Sequence, residues 1–386
     1  MECDVLIVGA GASGSVSALS LSQKNINVVV IEKGKEVGSD IRKRIDITED
    51  FGIKEIIEEL NLPLKEKTNE TKWYSPTHEI FLKSDINDLF IKRGSFEDSF
   101  EVINMKKAVN NGVKLINNAK LSKINSKNNL VESVVINKKD KYHTIKPKLV
   151  IAADGTESMI SKKFSKKLKL KNVNKLIAYG FYSKTIKIEP SITHIFFDST
   201  NAPGGYFFLA KTKNGEGMAC IVLEEKRLKR RAKEYFYEFI SSKEILKKAL
   251  VNVRDKIKIC DYCKIDQINT RSIGNVLFVG EAGRLLDPLF GYGMRNSIIS
   301  GFLAGKISYD YIKNEKETIL DKYNEELDEM VKDIQESYPR RKIFNSLDNG
   351  DLDKIFSLLK DKGKIEKNVM SKEVRLGLEL LAPIFE

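Results

Sequence analysis

Apolar residues open this chain in a short unbroken run. Val5 to Val8 passes directly into glycines, the pattern of a buried parallel strand entering a turn. Ser13 to Lys24 reads as a helix with small residues on one face, and Val28 to Ile31 as a second buried strand. Residues 49–60 predict a helix carrying Ile56, Ile57 and Leu60. Strand-like fragments follow between Lys72 and Phe90, then a helix over Ser95 to Asn111. Val113 to Ile116, Val131 to Ile136 and Leu149 to Ala152 read as strands, the last leading into Asp154-Gly155. From 176 to 223 the pattern changes to aromatic-rich alternation, which suits an antiparallel sheet. Val276 to Val279 is a last buried strand before a second glycine-rich turn, and from Asn296 onward the chain is helical and charged.

This order predicts an α/β (α+β) protein with a Rossmann-like nucleotide domain interrupted by a β-rich insertion. The discontinuous domain is expected over 1–70, 92–165 and 265–320. The antiparallel substrate domain is expected over 71–91 and 166–264, and a C-terminal helical region over 321–386. A length of 386 residues agrees with two domains, and 41% hydrophobic residues suffice for packed interiors. No run of about 18 apolar residues is present, so no transmembrane helix is expected. A signal peptide is not expected either, because the apolar start lacks a basic leader and turns glycine-rich at once.

The first glycine-rich segment has the spacing of a dinucleotide fingerprint. Gly9-Ala10-Gly11-Ala12-Ser13-Gly14 is G-x-G-x-x-G between a strand and a helix, and Glu32 ends the next strand. Gly9 permits the tight turn, Gly11 lets a pyrophosphate approach the backbone, and Gly14 lets helix and strand pack closely. The helix start presents free N–H groups to the phosphates, and Glu32 accepts hydrogen bonds from ribose hydroxyls. Two more segments recur far along the chain: Ala152-Ala153-Asp154-Gly155, and Gly280-Glu281-Ala282-Gly283 continuing as Asp287-Pro288-Leu289-Phe290-Gly291-Tyr292-Gly293-Met294. A long extended cofactor needs contacts from distant segments, which argues for FAD over NAD. The helix opening after Gly293 can stabilise negative charge on a reduced flavin.

These three segments, 4-DVLIVGAGASG-14, 151-IAADGTES-158 and 278-FVGEAGRLLDPLFGYGM-294, resemble flavoproteins with the hydroxylase-type FAD fold. Within these, the chain is most similar to geranylgeranyl reductases, including archaeal digeranylgeranylglycerophospholipid reductases. The resemblance extends to 203-PGGYFFLAKTKNGEGMACIVL-223, which aligns loosely with a reductase signature. It implies an enzyme that saturates isoprenoid double bonds of membrane lipid precursors by hydride transfer from reduced FAD. It places Ser13 in the phosphate turn, Glu32 with its neighbour Lys33 at the ribose, and Arg42 and Arg93 near the FAD. It puts Leu121 at the adenine, Asp154, Gly155, Gly280, Glu281 and Asp287 along the cofactor, and Gly291, Gly293 and Met294 at the flavin ring. Arg42-Lys43-Arg44-Ile45-Asp46 stands where the reductases carry an Arg-Cys-Ala-Glu-Gly-like stretch beside the flavin, so Lys43, Arg44 and Asp46 are counted with the cofactor residues.

The aromatic run Phe181, Tyr182, Phe196, Phe197, Tyr206, Phe207 and Phe208 has two readings: the lining of an apolar tunnel, or ordinary core between sheet and helices. On the first reading Phe181, Phe197, Tyr206 and Phe208 meet substrate, and Tyr206 is the candidate proton donor. Two other functions stay open, an FAD-dependent monooxygenase acting on an apolar substrate and a non-catalytic prenyl-binding protein.

Sixty-six basic against 54 acidic residues give a net charge of +12. An anionic membrane surface, a phosphate-bearing substrate, nucleic acid or a lysine-rich proteome would each explain it. The partners expected are a polyprenyl lipid and a small electron donor such as a ferredoxin, with no nucleic acid. The location expected is the cytoplasm, with peripheral membrane contact. The basic stretch 226–250 predicts an amphipathic helix, either a solvated face or a dock for acidic headgroups. Cys260 and Cys263 form a single CxxC; with His78, His143 and His194 unclustered, no metal site is expected, and a redox role stands beside a structural one.

Overall fold

The computed structural model describes residues 1–360 except 65, 171–173, 315 and 317, together with 365–366. The chain begins β1 (Glu2–Val8), α1 (Ala12–Leu21), β2 (Val28–Ile31), β3 (Arg44–Glu49) and α2 (Lys54–Glu59). It continues with β4 (Lys67–Tyr74), β5 (Glu79–Arg93), α3 (Phe100–Asn110) and β6 (Lys114–Ile116). Next come β7 (Lys120–Lys127), β8 (Leu130–Lys138), β9 (Lys141–Ala152), α4 (Met159–Lys163) and α5 (Ser165–Leu168). The insertion runs β10 (Asn174–Ser183), β11 (Thr193–Phe196), β12 (Tyr206–Lys211), β13 (Gly217–Glu224), α6 (Ala232–Ser242), α7 (Glu244–Leu250) and β14 (Ile257–Ile265). The last part is β15 (Ser272–Ile273), β16 (Val276–Phe278), α8 (Met294–Asn314), α9 (Thr318–Glu326), α10 (Asp328–Ser346), α11 (Asn349–Lys360) and β17 (Ile365–Glu366).

Eight strands form the first sheet, with β15-β16-β9-β1-β2-β6 in order and the β7–β8 hairpin attached to β9. β1 lies parallel to both β2 and β9. Its alternation separates two cores. Val5 and Ile7 pack with α1, α3 and α8, while Leu6 and Val8 pack toward the β7–β8 hairpin and Ile160 of α4.

Small side chains decide how α8 meets α1. The Ser17 hydroxyl donates to Gly301 O at 2.9 Å. A Cβ on Gly301 would lie 2.5 Å from Ser13 O, and one on Gly305 would lie 2.6 Å from Ser20 Oγ. The serine-rich face of α1 and two glycines on α8 therefore hold the two helices in close contact, although some 280 residues separate them.

The second sheet has nine strands in the order β14-β10-β13-β12-β11-β4-β5-β17, with β3 on β5. Arg44 pairs with Arg93 in register, so residues 44–49, the start of β4 and the end of β5 belong to this sheet. The sequence reading had assigned them to the nucleotide domain; antiparallel pairing draws them across. Period-2 alternation again divides the side chains. Tyr182, Phe197, Tyr206 and Phe208 line the inner face with α10 and α11. Phe181, Phe196 and Phe207 line the outer face beneath α6 and α7. Phe181 therefore cannot share a tunnel with the other three.

Other differences are local. The helix expected over 49–60 covers only Lys54–Glu59, because Asp50 is tied to Asn87 and Gly52 turns at φ +70°. The stretch 226–250 is a short turn and two helices, broken where Lys243 is extended. The apolar face of α6 (Tyr235, Phe236, Phe239) is buried against the sheet. The expected C-terminal helices reach Lys360, and residues 367–386 of that region lie outside the described residues. Among the described residues, no helix is long and apolar enough to cross a membrane.

His194 is one buried polar group with a measurable consequence. It is 2% exposed, stacks on Tyr74 and has Nδ1 3.0 Å from the Tyr74 hydroxyl. Burial, with Lys72 adding to it, lowers its pKa from 6.5 to about 4. The native state thus keeps the ring neutral while the unfolded chain takes up a proton. Stability from this site is complete above pH 6.5 and drains away as pH falls toward 4, to a limit of about 3 kcal/mol. Denaturant midpoints at pH 7.5 and 4.5 should show a smaller acid loss in His194→Gln than in the wild type. Equal losses would mean that His194 does not titrate on unfolding.

Candidate functional site

Two glycine-rich turns meet at the start of α1. Gly9 holds φ +102°, and a Cβ there would lie 2.3 Å from Ala153 O, so β1 leaves the sheet only with glycine at this point. A Cβ on Gly14 would lie 2.0 Å from Gly9 O. A Cβ on Gly11, by contrast, would meet nothing within 4 Å. The amides of Ala12, Ser13 and Gly14 take no hydrogen bond among the described residues, as expected of a helix's first turn. These free donors and the open space above Gly11 form a cradle for a diphosphate.

Glu32 stands beside the cradle. It is 9% exposed and accepts from Ala10 N at 2.9 Å and Gly34 N at 2.8 Å, which fixes its carboxylate at the strand end. The backbone of Glu32 bonds Ile116 and Ala119, so Leu121 at the head of β7 lies on the same side of the sheet edge. Lys33 points away, exposed and 3.4 Å from Asp40. Arg42 is exposed and makes no hydrogen bond or ion pair among the described residues.

From the other side Gly280 closes on the same place. A Cβ there would lie 2.8 Å from Ser13 Oγ. The Thr156 hydroxyl hydrogen-bonds the Glu281 carboxylate, and Arg284 donates to Thr156 O at 3.3 Å and to Glu281 O at 2.7 Å. The 154–156 and 280–284 turns are thereby one unit. Asp154 accepts from Met159 N at 2.7 Å, but its Oδ1 is buried with no partner, and burial pushes its pKa up. Gly155 beside it keeps accessible surface. Burial, with Asp261 adding to it, also raises Glu281. Unpaired donors at α1 and an unpaired acceptor at Asp154 fit the diphosphate and the hydroxyls of a dinucleotide.

Next to this a chain of ion pairs crosses the molecule. Arg44 bridges Asp261 (3.0 Å) and Asp46 (2.8 Å), Asp46 meets Arg93 at 2.9 Å, and Arg93 meets Glu101 at 2.9 Å. Burial opposes the charge on Arg44, but Asp46 and Asp261 outweigh it and hold the guanidinium above its usual range. Burial likewise opposes the charge on Asp46, but Arg44 and Arg93 outweigh it and lower its pKa. The Arg44 and Asp46 side chains each keep 20% of their surface accessible. Met294 accepts from Arg93 at 2.6 Å at the mouth of α8. Lys43 stands to one side, its ammonium 4.5 Å from the ring of Phe96.

The 287–293 loop leads into α8. Here Asp287 is a turn residue: Oδ1 accepts from Leu289 N (2.7 Å) and Phe290 N, and Oδ2 accepts from Ser337 (2.8 Å). Both oxygens thus hold the shape of the loop. Gly291 holds φ +80°, and a Cβ on it would press on Leu176 at 2.9 Å. One on Gly293 would press on Leu286 at 2.9 Å. Tyr206 donates to Phe290 O at 2.9 Å and is 5% exposed. Its neighbour Tyr292 is 44% exposed, with ring centroids 6.3 Å apart. Burial raises the pKa of the Tyr206 hydroxyl. Phe197 and Phe208 lie in the core under α10 and α11.

Sequence reasoning missed Tyr292, Thr156, Arg284, Asp261 and Arg341. Arg341 of α10 donates to Leu289 O (2.8 Å), Gly204 O and the buried Glu224, and so clamps the 287–293 loop. Tyr292, Thr156 and Arg284 carried a signal, since they lie in the glycine-rich segments already singled out; Asp261 and Arg341 carried none. Of the CxxC, Cys260 is exposed on the outer face of β14, while Cys263 faces Gly291. Burial, with Glu281 adding to it, raises the Cys263 thiol above its usual range. Among the described residues, no cluster of metal-ligating side chains occurs.

Comparison with known proteins agrees with this geometry. A digeranylgeranylglycerophospholipid reductase of Methanococcus vannielii is 28% identical over 83% of this chain and 80% of its own length. A second, from Methanopyrus kandleri, is 25% identical over 97% of this chain and 94% of its own. In structure, a geranylgeranyl bacteriochlorophyll reductase-like protein of Thermoplasma acidophilum superposes with TM-score 0.75 at 21% identity, covering 92% of this chain and 91% of that one. A flavin-dependent brominase shares the fold at TM-score 0.68 and 16% identity, covering 98% of this chain and 94% of its own. The profile of the FAD binding domain family matches residues 2–337, and the chain belongs to that family.

Proposed function

We propose that this protein is an FAD-dependent reductase that saturates carbon–carbon double bonds in the geranylgeranyl chains of membrane lipid precursors. The single observation that carries the reading is the aromatic inner face of the second sheet. Phe197 and Tyr206 pack on Phe290 of the 287–293 loop, within the apolar core that also holds Phe208, so this aromatic face adjoins the loop. The archaeal lipid reductases that cover most of the chain support the same substrate class. FAD, when bound, supplies the hydride. The protein's part is to position the chain, exclude water and deliver a proton.

The proton assignment shifts from Tyr206 to Tyr292. The Tyr206 hydroxyl is committed to Phe290 O and holds the loop in place. Tyr292 has the same chemistry with accessible surface. Tyr292→Phe should slow turnover by roughly a hundredfold. Tyr206→Phe should instead lower stability by about 1–2 kcal/mol, by leaving a buried carbonyl unpaired, with turnover changed only a few-fold. Single-turnover reoxidation together with denaturant midpoints separates the two roles, and the opposite pattern would return the acid to Tyr206.

Gly11 offers a test of the cradle that leaves the fold alone. Its Cβ direction is empty and its φ of −73° suits any residue, so Gly11→Val should fold with an unchanged melting temperature. Its side chain would fill the diphosphate space and weaken FAD by roughly a hundredfold, about 2.7 kcal/mol. Fluorescence titration of apoprotein with FAD measures this, and wild-type affinity in the variant would remove the cradle from the argument.

The reaction itself is tested without oxygen. Protein reduced with dithionite should be reoxidised by a geranylgeranyl glycerolipid, with the lipid gaining 2 Da per bond in mass spectrometry. Rapid peroxide formation in air with no lipid reduction would favour a monooxygenase. A purified protein that is colourless and takes up no FAD would favour a prenyl carrier.

A further inference from the structure

One corner of the second sheet concentrates cations that no acid neutralises. β10 ends at Ser183, whose hydroxyl donates to Arg254 O at 2.6 Å, and Lys187 N bonds Ala249 O. These contacts bring the 184–187 turn against the 251–258 segment. Lys184, Lys187, Arg254, Lys256 and Lys258 are all exposed, and none forms an ion pair among the described residues. Glu189 and Asp255 are the exposed acids at this corner. Elsewhere on the same strand the lysine is paired, Lys264 with Glu157.

Apolar groups are interleaved with this charge. Val251 is 50% exposed and Ile257 is 37% exposed. Lys256 lies 5.0 Å over the ring of Phe181, and Lys258 lies 5.4 Å over that of Tyr179. The ammonium groups thus sit over aromatic rings at the sheet edge while both lysines stay exposed, which puts charge and apolar surface side by side. Beside them α6 contributes exposed Tyr237 with Lys233 6.0 Å over its ring. The buried apolar face of α6 rules out insertion of that helix, so the contact is a side-chain surface.

The corner also adjoins the inner face. Ile257 pairs in register with Tyr182, which belongs to the inner aromatic core with Phe197, Tyr206 and Phe208. Apolar surface therefore continues from the exposed edge at Ile257 to the face that receives the lipid chain. An acidic electron carrier would be held by charge alone and would have no use for Val251 and Ile257.

We propose that this corner, centred on Arg254 to Lys258, docks the protein edge-on on an anionic lipid bilayer, with Lys256 and Lys258 on the outer side of the sheet and Ile257 on the inner side. The choice of a bilayer rests on the lipid-reductase reading, but the contact itself does not depend on turnover.

The test uses the full chain and vesicles of phosphatidylcholine with about 30% phosphatidylglycerol, so that no prenyl substrate is present. Co-sedimentation should show binding that fades in 0.5 M salt, screened as about a 4 Å Debye length requires. Lys256→Glu/Lys258→Glu should bind at least roughly tenfold more weakly, since each cation near a charged bilayer matters on that scale. Lys120→Glu/Lys123→Glu, the same charge change on β7, should bind as the wild type does. Both variants should keep the wild-type melting temperature and turn over detergent-dispersed lipid at the wild-type rate. Equal loss in both pairs would show that net charge alone acts, and would overturn the proposal. So would no vesicle binding, or retention by an acidic carrier protein with none by vesicles. Vesicle binding without any lipid turnover would instead leave the corner standing and count against the reductase reading.

Discussion

Everything in the cofactor site depends on how closely α8 can approach α1. The first turn of α1 has free amides because it is a helix start, but free amides alone bind an anion weakly and without selection. They become part of a dinucleotide site because Gly280 sits against Ser13, and Gly301 against the Ser13 carbonyl. Contacts of that length tolerate no larger residue. Interior packing transmits such a mismatch instead of absorbing it, so a bulkier side chain at either glycine would separate the two turns. The serines on α1 serve the same end: they are small, and Ser17 satisfies its buried hydroxyl with the Gly301 carbonyl.

Charge plays a second, distinct part. The Asp261–Arg44–Asp46–Arg93–Glu101 chain ties edge strand β14 to β3 and β5 of the same sheet and to helix α3. Removing one member would leave an uncompensated charge in a partly dry place, which costs far more than an exposed pair gains. The chain is therefore a geometric restraint more than a source of stability. It fixes Arg93 against Met294 at the start of α8.

How much of this could be read from the sequence follows from distance along the chain. The cradle and Glu32 lie within 32 residues of the chain, so their geometry at the ends of β1 and β2 was legible. The alternation at Tyr206, Phe207 and Phe208 was legible as strand, but the sequence carries no sign of which face turns inward. Phe181 was misplaced for that reason. Asp287 was read as a cofactor contact; Asp before Pro at the head of a turn is also the usual pattern of a side chain bonding its own backbone. Arg341 lies 117 positions from Glu224, and nothing local marks it as the clamp on the loop.

That clamp explains why the C-terminal helices belong to the site. α10 holds the 287–293 loop through Ser337 and Arg341, and α11 covers the inner aromatic face with Leu352, Ile355 and Phe356. The inner face of a two-layer insertion would otherwise expose Phe197, Phe208 and Trp73 to water, at about 25 cal/mol for each Å² left uncovered. Both helices are also pinned by polar bonds. α10 holds Leu289 O and Asp287 through Arg341 and Ser337, while on α11 Asn349 accepts from Ser199 N at 2.8 Å and Asp353 from Thr77 N at 3.0 Å. Apolar contact is non-directional and supplies the cover, whereas these directional bonds fix where each helix sits, so the loop and its cover are held together.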